Sequence, residues 1–325
     1  MSPTERALWS RVNRRAALLQ PDLARAILRS FRLIAAALSE RKLAEMIATG
    51  ALERLYANLL VEATGPGMFL PVQEAIRAAV VRETASWRRT LPPPARLATV
   101  GVAFDVLNPR VIEAIRTMET RVLTRLGEGV RSAVRKHVEL GLQAGVGPRA
   151  IARGLRAVVP LGERQVEAVA NFRGYLEAGR FRTALRRELR DARFDATLRR
   201  LAGEGGSLTQ AQIDRMVGQY ARRMVAFNAE TNARTAALDA VKTAQRAAWQ
   251  DAIDRGTIDD GNLMKRWVQI DRPTKRESHI PLHGETVPFD SPYSTGQMWA
   301  GEGDWNCGCS DLVFVATGPR ALAAA

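Results

Sequence analysis

Apolar residues recur three or four positions apart along most of the first 82 residues. This spacing places them on one face of an α-helix, so the pattern predicts helices from Thr4 to about Arg82. Gly50 can end one of them, because glycine adopts the left-handed conformation that often follows a helix. The stripe comprises Ile27, Phe31, Ile34, Leu38, Leu43 and Ile47.

Three successive prolines, Pro92 to Pro94, separate this region from the next. A helix cannot continue through them, so we place the first domain boundary there. Asn108 can cap the following helix and Pro109 can occupy its first turn. A stripe from Ile112 to Val134 then predicts one long helix to about Gly141. Shorter helices are predicted at residues 149–158, 163–178 and 180–201.

The most regular helical pattern begins at two overlapping capping boxes, Ser207 with Gln210 and Thr209 with Gln212. The apolar stripe that follows them can continue to about Gly256. At 1.5 Å per residue, a single helix or a broken pair over this stretch would be roughly 60 to 70 Å long.

The helical periodicity ends at Trp267. Residues 268–270 and 286–289 alternate like short strands, and residues 283–285 lie where a hairpin turn would be. We therefore predict a mainly α fold, with an elongated multi-helix body and a small loop-rich α+β C-terminal module that contains short β-hairpins. The predicted domains are an N-terminal helical region (1–90), a central long-helix body (91–256) and a Cys/His-containing C-terminal module (257–325).

The net charge of +14 belongs to the helical part of the chain. From Arg255 onward there are 7 basic and 9 acidic residues, so the preceding residues carry the whole excess of positive charge. Such an excess would attract a phosphate backbone or a strongly acidic protein surface. The alternative is a solvated helical surface that is rich in arginine.

Two further features bear on cellular location. No apolar run approaches the roughly 18 residues that a membrane span requires. Arginines interrupt the first 15 residues, which argues against a secretory signal. We therefore expect no membrane span and synthesis and residence in a cytoplasm.

The residues that can bind a metal are concentrated in the C-terminal module. His279, His283, Cys307 and Cys309 are two of the three histidines and both cysteines of the chain. Imidazole and thiolate are ligands that zinc prefers, and a small module with little core is what a structural zinc would stabilise. The Cys-x-Cys spacing is tighter than that of ordinary zinc hooks. Reduced, half-buried thiols and histidines that hydrogen-bond within loops are the alternative.

The same residue types allow a nucleophilic site, with Cys307 as nucleophile, His279 as base, and Asp271 or Asp304 orienting the base. The charged segment from Asp271 to Arg276 could bind a carboxylate or phosphate, or it could tie the loops of the module together. The sequence contains no Walker loop, dinucleotide fingerprint, metalloprotease helix or serine-hydrolase elbow. We therefore expect neither an enzyme nor a small-molecule substrate.

Nine residues of the module form an ordered set of motifs: Trp267, Asp271, Arg272, Arg276, His279, Gly284, Asn306, Cys307 and Cys309. This set resembles the C-terminal signature of the phage head morphogenesis, or minor head protein, family typified by the Mu F protein. Gly308 stands where that family usually has an arginine between the two cysteines. Between Phe104 and Phe314, further segments resemble segments of that family more weakly, and they occur in the same order along the chain.

The resemblance implies a structural minor head protein of a tailed phage or phage-like particle, assembled in the cytoplasm of a bacterial host and present in the virion or procapsid. It implies the portal protein and other capsid proteins as partners, packaged double-stranded DNA as a further candidate, and a role in head assembly or in DNA packaging or ejection. The alternative function is a basic helical DNA-binding protein with a small zinc-stabilised C-terminal module.

Overall fold

The computed structural model describes residues 2–57, 65, 67–92, 108–269, 276–302, 304–305 and 307–316. These residues are mainly α-helical, with one small antiparallel sheet near the C-terminus, which confirms the predicted fold class. None of the described helices is long and apolar enough to span a bilayer. The helices are α1 (Pro3–Ala37), α2 (Glu40–Ala48), α3 (Leu70–Arg88), α4 (Pro109–Gln143), α5 (Pro148–Val158), α6 (Glu163–Glu177), α7 (Phe181–Leu185), α8 (Asp195–Glu204) and α9 (Gln210–Asp254).

The chain divides into two compact units. Each unit combines segments that are distant in the sequence, and the division into 1–90, 91–256 and 257–325 stays a prediction. Unit 1 consists of Met1–Leu23, Gln73–Arg121 and Asn232–Ala325, and unit 2 consists of Ala24–Val72 and Val122–Thr231.

The predicted helix starts of α4 and α9 are confirmed by their capping hydrogen bonds. Asn108 Oδ1 accepts a 2.9 Å hydrogen bond from the backbone N–H of Arg110, and Pro109 is the first residue of α4. At α9, Gln212 Oε1 accepts from Thr209 N at 2.8 Å and Thr209 Oγ1 accepts from Gln212 N at 3.3 Å, which completes a capping box. The 45 residues of α9 correspond to about 67 Å at 1.5 Å per residue, so the long helix is confirmed.

In unit 2, the first part of α9 packs against α6, α7 and α8 through an apolar cluster. Its central pair, Phe172 and Tyr220, stacks with ring centroids 4.4 Å apart. The cluster comprises Phe172, Leu176, Phe181, Ala184, Leu198, Leu201, Leu208, Ile213, Met216, Val217 and Tyr220.

The predicted continuous helix over residues 180–201 is wrong. The chain leaves α7 at Leu185, turns, and begins α8 only at Asp195. The Asp191 carboxylate accepts a 3.1 Å hydrogen bond from the backbone N–H of Arg193, and Arg190 forms a two-point pair with Asp195. These local polar contacts compete with helical hydrogen bonding, so a turn forms without glycine or proline.

In unit 1, the second part of α9 is buried on nearly all sides, which is unusual for a helix of a small domain. Small side chains permit this because neighbouring elements can approach the helix backbone closely. The fully buried alanines are Ala233, Ala236, Ala237, Ala240, Ala244, Ala248 and Ala252.

A three-stranded antiparallel sheet completes unit 1. Its strands are β1 (Leu263–Val268), β2 (Thr286–Pro288) and β3 (Ser310–Val315), in the order β2-β1-β3. Lys265 at the centre of β1 lies opposite Val287 on one side and Val313 on the other. The antiparallel sheet agrees with the predicted small α+β module, but 17 residues separate β1 from β2, so residues 283–285 do not form a tight turn that joins the two strands directly.

Two details of the predicted strands are corrected. The first strand ends at Val268 and begins earlier, at Leu263, because Leu263, Lys265 and Trp267 alternate onto one buried face. The strand β3 was not predicted, since its Ser-Asp start reads as a loop. The end of the predicted first strand, Ile270, lies outside the described residues.

Candidate metal centre

Trp267 of β1 forms the floor of the candidate site. Its side chain is fully buried, and its ring meets His279 edge-on with centroids 5.3 Å apart. On another side it meets Tyr293, also edge-on, at 5.0 Å. The backbone N–H of Gly284 donates to Trp267 O at 2.9 Å, which ties the turn before β2 to this strand.

His279, Cys307 and Cys309 converge beside Trp267. His279 ends a short 3₁₀ turn, Glu277–His279, and the two cysteines immediately precede β3. His279 Nδ1 lies 3.4 Å from Cys307 Sγ and 3.5 Å from Cys309 Sγ. All three ligand atoms lie within 4.8 Å of one another, and all three residues are buried. The arrangement supplies one imidazole nitrogen and two sulfurs to a single point.

The other ring nitrogen of His279 is held by a carboxylate. His279 Nε2 lies 3.1 Å from Asp304 Oδ2. Because a carboxylate accepts hydrogen bonds, this contact places the ring proton on Nε2 and leaves the Nδ1 lone pair facing the sulfurs. A carboxylate on the far nitrogen is the usual partner of a metal-binding histidine.

Asp304 is itself fixed by two neighbours. Gln297 Nε2 donates to Asp304 Oδ2 at 2.8 Å, and Arg276 Nη1 lies 3.3 Å from Asp304 Oδ1. Arg276 also donates to Trp305 O at 2.8 Å. Arg276 therefore ties loops of the module together, as one of the two sequence interpretations of the charged segment expects.

The backbone around the cysteines leaves little space. Gly301 has a φ of +71°, and a Cβ at this position would collide with Cys307 Sγ, so glycine is required for two reasons. The N–H of Cys309 donates to Cys307 Sγ at 3.4 Å, and the buried Lys242 Nζ lies 3.4 Å from Cys307 O.

The two thiols have pKa values shifted in opposite directions. The pKa of Cys307 is lowered, chiefly because the Cys309 side chain donates a hydrogen bond to its sulfur. The pKa of Cys309 is raised because its proton is engaged with Cys307 and because the site is buried. The pair therefore favours one thiolate that is hydrogen-bonded to one thiol.

The geometry brings together three of the four predicted metal ligands. His283 is exposed, and its Nδ1 accepts a 3.3 Å hydrogen bond from the backbone N–H of Gln269. It is not part of the cluster that the other three residues form. Of the signature residues, Asp271, Arg272 and Asn306 lie outside the described residues.

No protein-family model, curated protein or solved structure matches this chain.

A second polar centre of the module, around Asp311, was missed in the sequence. Asp311 Oδ1 accepts from Tyr293 Oη at 3.0 Å and from Ala300 N at 2.9 Å, while Gln245 of α9 donates to Asp311 O at 3.1 Å. The pKa of Tyr293 is raised, chiefly by burial. No local pattern marks such a carboxylate, because its partners come from three separate segments.

Lys265 is a buried charged residue that the alternation in β1 could have revealed. Its Nζ donates to Met298 O and lies 4.0 Å from the centroid of the Trp299 ring. Burial lowers the pKa of Lys265 to about 8. The period-two pattern of Leu263, Lys265 and Trp267 places the lysine on the inner face, although its charge suggests the opposite.

Proposed function

We propose that the chain is a structural, non-enzymatic minor head protein that docks on a portal vertex through a compact C-terminal module. The observation that carries the proposal is the packing of the signature itself. Trp267, His279, Cys307 and Cys309, which carry the resemblance, contact one another inside the module, and Gly284 is hydrogen-bonded to its central strand. Residues that are buried together in this way build a fold, whereas residues that bind a substrate need access to it.

The proposal includes a zinc ion at His279, Cys307 and Cys309. The donor set fits, because zinc prefers imidazole nitrogen and thiolate sulfur, and the second ring nitrogen of His279 has the carboxylate partner that such ligands usually have. Three protein ligands leave one position of a tetrahedron to a further ligand. When bound, the ion would link the turn that carries His279 to the segment that precedes β3.

A nucleophilic site is the competing interpretation, since Asp304, His279 and Cys307 lie in the order that such a site requires. The position of Cys309 favours the metal. Its sulfur lies as close to His279 Nδ1 as that of Cys307 does, and a nucleophile does not need a second sulfur there. The burial of both thiols also disfavours attack on a substrate.

The zinc content of two histidine variants and one cysteine variant tests whether the site binds metal. The full chain, purified without chelator, is expected to hold about one zinc per molecule by mass spectrometry. His279→Ala and Cys307→Ser should lose it, whereas His283→Ala, a matched control in the same module, should keep it. Less than about a tenth of an equivalent in the wild type would end the zinc proposal.

Co-purification tests the docking role. Expressed together with the portal protein of the phage or prophage that encodes it, the chain is expected to elute with the portal ring in size-exclusion chromatography. Binding to free duplex DNA with a steep salt dependence, and no association with the portal, would favour the DNA-binding alternative. The basic charge of the helical region is compatible with either partner.

A further inference from the structure

Unit 1 contains a cleft that is separate from the ligands of the proposed zinc. It lies between the first part of α4, the last turns of α9 and the loop that carries Trp299, and its volume is about 240 Å³. Three arginines are among the described residues that line it: Arg110 and Arg121 of α4, and Arg246 of α9.

Arg246 is a largely buried cation with no close hydrogen-bonded partner among the described residues. Only 15% of its side chain is exposed, and its guanidinium lies 4.5 Å from the centroid of the Trp299 ring. Among the described residues, its carboxylate neighbour is Asp311, whose Oδ2 lies 3.6 Å from Arg246 Nη2. This distance is too long for a strong hydrogen bond. Its Nε is buried and has no hydrogen-bond partner among the described residues.

Arg121 adds a second guanidinium to the same cleft. Its Nε is likewise buried without a hydrogen-bond partner among the described residues. Burial is the main cause that lowers the pKa of Arg246, and the positive charge of Arg121 contributes in the same direction. Two cations in one cleft are costly when they are out of water, and buried donors without a partner usually indicate an ion or ordered water.

We propose that this cleft binds a carboxylate through Arg121 and Arg246. The planar fork of a guanidinium matches the two oxygens of a carboxylate. Val111, Ala114 and Phe289 provide an apolar wall for a short aliphatic stem. The same cleft could receive a free small carboxylate or the side chain of a glutamate or aspartate on a partner protein.

The acidic residues of the lining favour a carboxylate over a phosphate. Glu113 and Glu302 also line the cleft, and Arg110 is already paired with Asp254 at 3.2 Å. Arg121 and Arg246 therefore share the cleft with two glutamates. A ligand with a single negative charge is repelled less by these glutamates than a phosphate dianion is.

Titration of the full chain with butyrate, a monocarboxylate with a short aliphatic stem, tests the proposal by calorimetry at constant ionic strength. We expect the wild type to bind butyrate and Arg121→Gln to bind it about tenfold more weakly, because a charge-assisted contact is lost. Arg116→Gln is the matched control, since Arg116 is an exposed arginine on the same helix. Its affinity should stay within about twofold of the wild type.

Two further arms complete the experiment. Arg121→Lys keeps the charge but not the fork, so it should bind with intermediate affinity and serves as the test if the glutamine variant does not fold. A capped peptide with one central glutamate, compared with its glutamine version, distinguishes a partner side chain from a free carboxylate. Absence of butyrate binding in the wild type, equal affinity in Arg121→Gln, or tighter binding of inorganic phosphate would overturn the proposal.

Discussion

The two parts of α9 show two different ways to bury a helix. Residues 210–231 belong to unit 2 and present an apolar stripe to a cluster that includes Phe172 and Leu201. Residues 232–254 belong to unit 1 and are surrounded by neighbours, with Lys242, Gln245 and Asp251 buried among alanines. One continuous helix therefore takes part in an apolar core and in a second core where polar side chains are buried among small apolar ones.

The difference predicts different sensitivities. Apolar packing in unit 2 depends on side-chain volume and little on pH or ligands. The contacts of the C-terminal module depend on charges, thiols and hydrogen bonds, so protonation and metal binding should alter its stability.

The largest effect is expected from a cavity in the apolar cluster. Phe172→Ala should reduce the free energy of unfolding by about 4 kcal/mol, because it removes a buried ring that stacks on Tyr220. Urea denaturation followed by circular dichroism measures this loss. A loss below about 1 kcal/mol would mean that the cluster is not a packed core.

The polar centre of the module should be almost as sensitive. Asp311→Asn leaves Arg246 without its nearby carboxylate, and we expect a loss of about 3 kcal/mol. Glu277→Gln, at an exposed position of the same module, is the control and should change stability by less than about 0.5 kcal/mol. Equal effects of the two substitutions in urea titrations would refute the role of Asp311.

Lys265 gives the module a dependence on pH. Its pKa of about 8 in the folded state lies below the ordinary value of 10.5, so the folded state binds fewer protons between these values. The free energy of unfolding is therefore highest, as far as Lys265 is concerned, above pH 10.5. It decreases by about 3 kcal/mol as the pH falls to 8.

The comparison with Lys265→Met isolates this contribution. Tyr293 works in the opposite direction, because its raised pKa disfavours the folded state where an unfolded tyrosine would ionise. The difference in unfolding free energy between wild type and variant should therefore be followed from pH 7 to 10.5. A difference that does not change with pH would show that Lys265 is not buried as a cation.

A smaller loss of unfolding free energy is expected when the glycine beside the cysteines is substituted. Gly301→Ala introduces both a strained φ of +71° and a collision with Cys307, and we expect a loss of about 2 kcal/mol. Gly296→Ala, also at a positive φ but with nothing near its Cβ, should lose only the backbone contribution of about 1 kcal/mol. Thermal unfolding of the two variants separates the effect of the collision from that of the backbone strain. Identical losses of stability would contradict the close approach of Gly301 to Cys307.

The helices could be predicted because their stripes and caps are local. Asn108 and Thr209 start α4 and α9 where the sequence places them. The turn at Asp191 could not be predicted, since it depends on a competition between side-chain and backbone hydrogen bonds. The strand β3 escaped prediction for a different reason: it pairs with β1 from more than forty positions away.

The candidate site was predictable in residue type but not in geometry. The grouping of histidines and cysteines indicated metal chemistry, and three of the four residues meet in the structure. The sequence could not tell His279 from His283, because only the folded turn decides which imidazole faces the sulfurs. Asp311 and Arg246 carry no local signal at all, since their partners lie in other segments.

X-ray absorption at the zinc edge is the most direct test of the central claim that His279, Cys307 and Cys309 hold one ion. On the full chain purified without chelator, we expect two sulfur scatterers at about 2.3 Å and at least one nitrogen at about 2.0 Å. His279→Ala should remove the nitrogen contribution or the ion itself. A spectrum with only oxygen and nitrogen neighbours, or one that is unchanged in His279→Ala, would contradict the account.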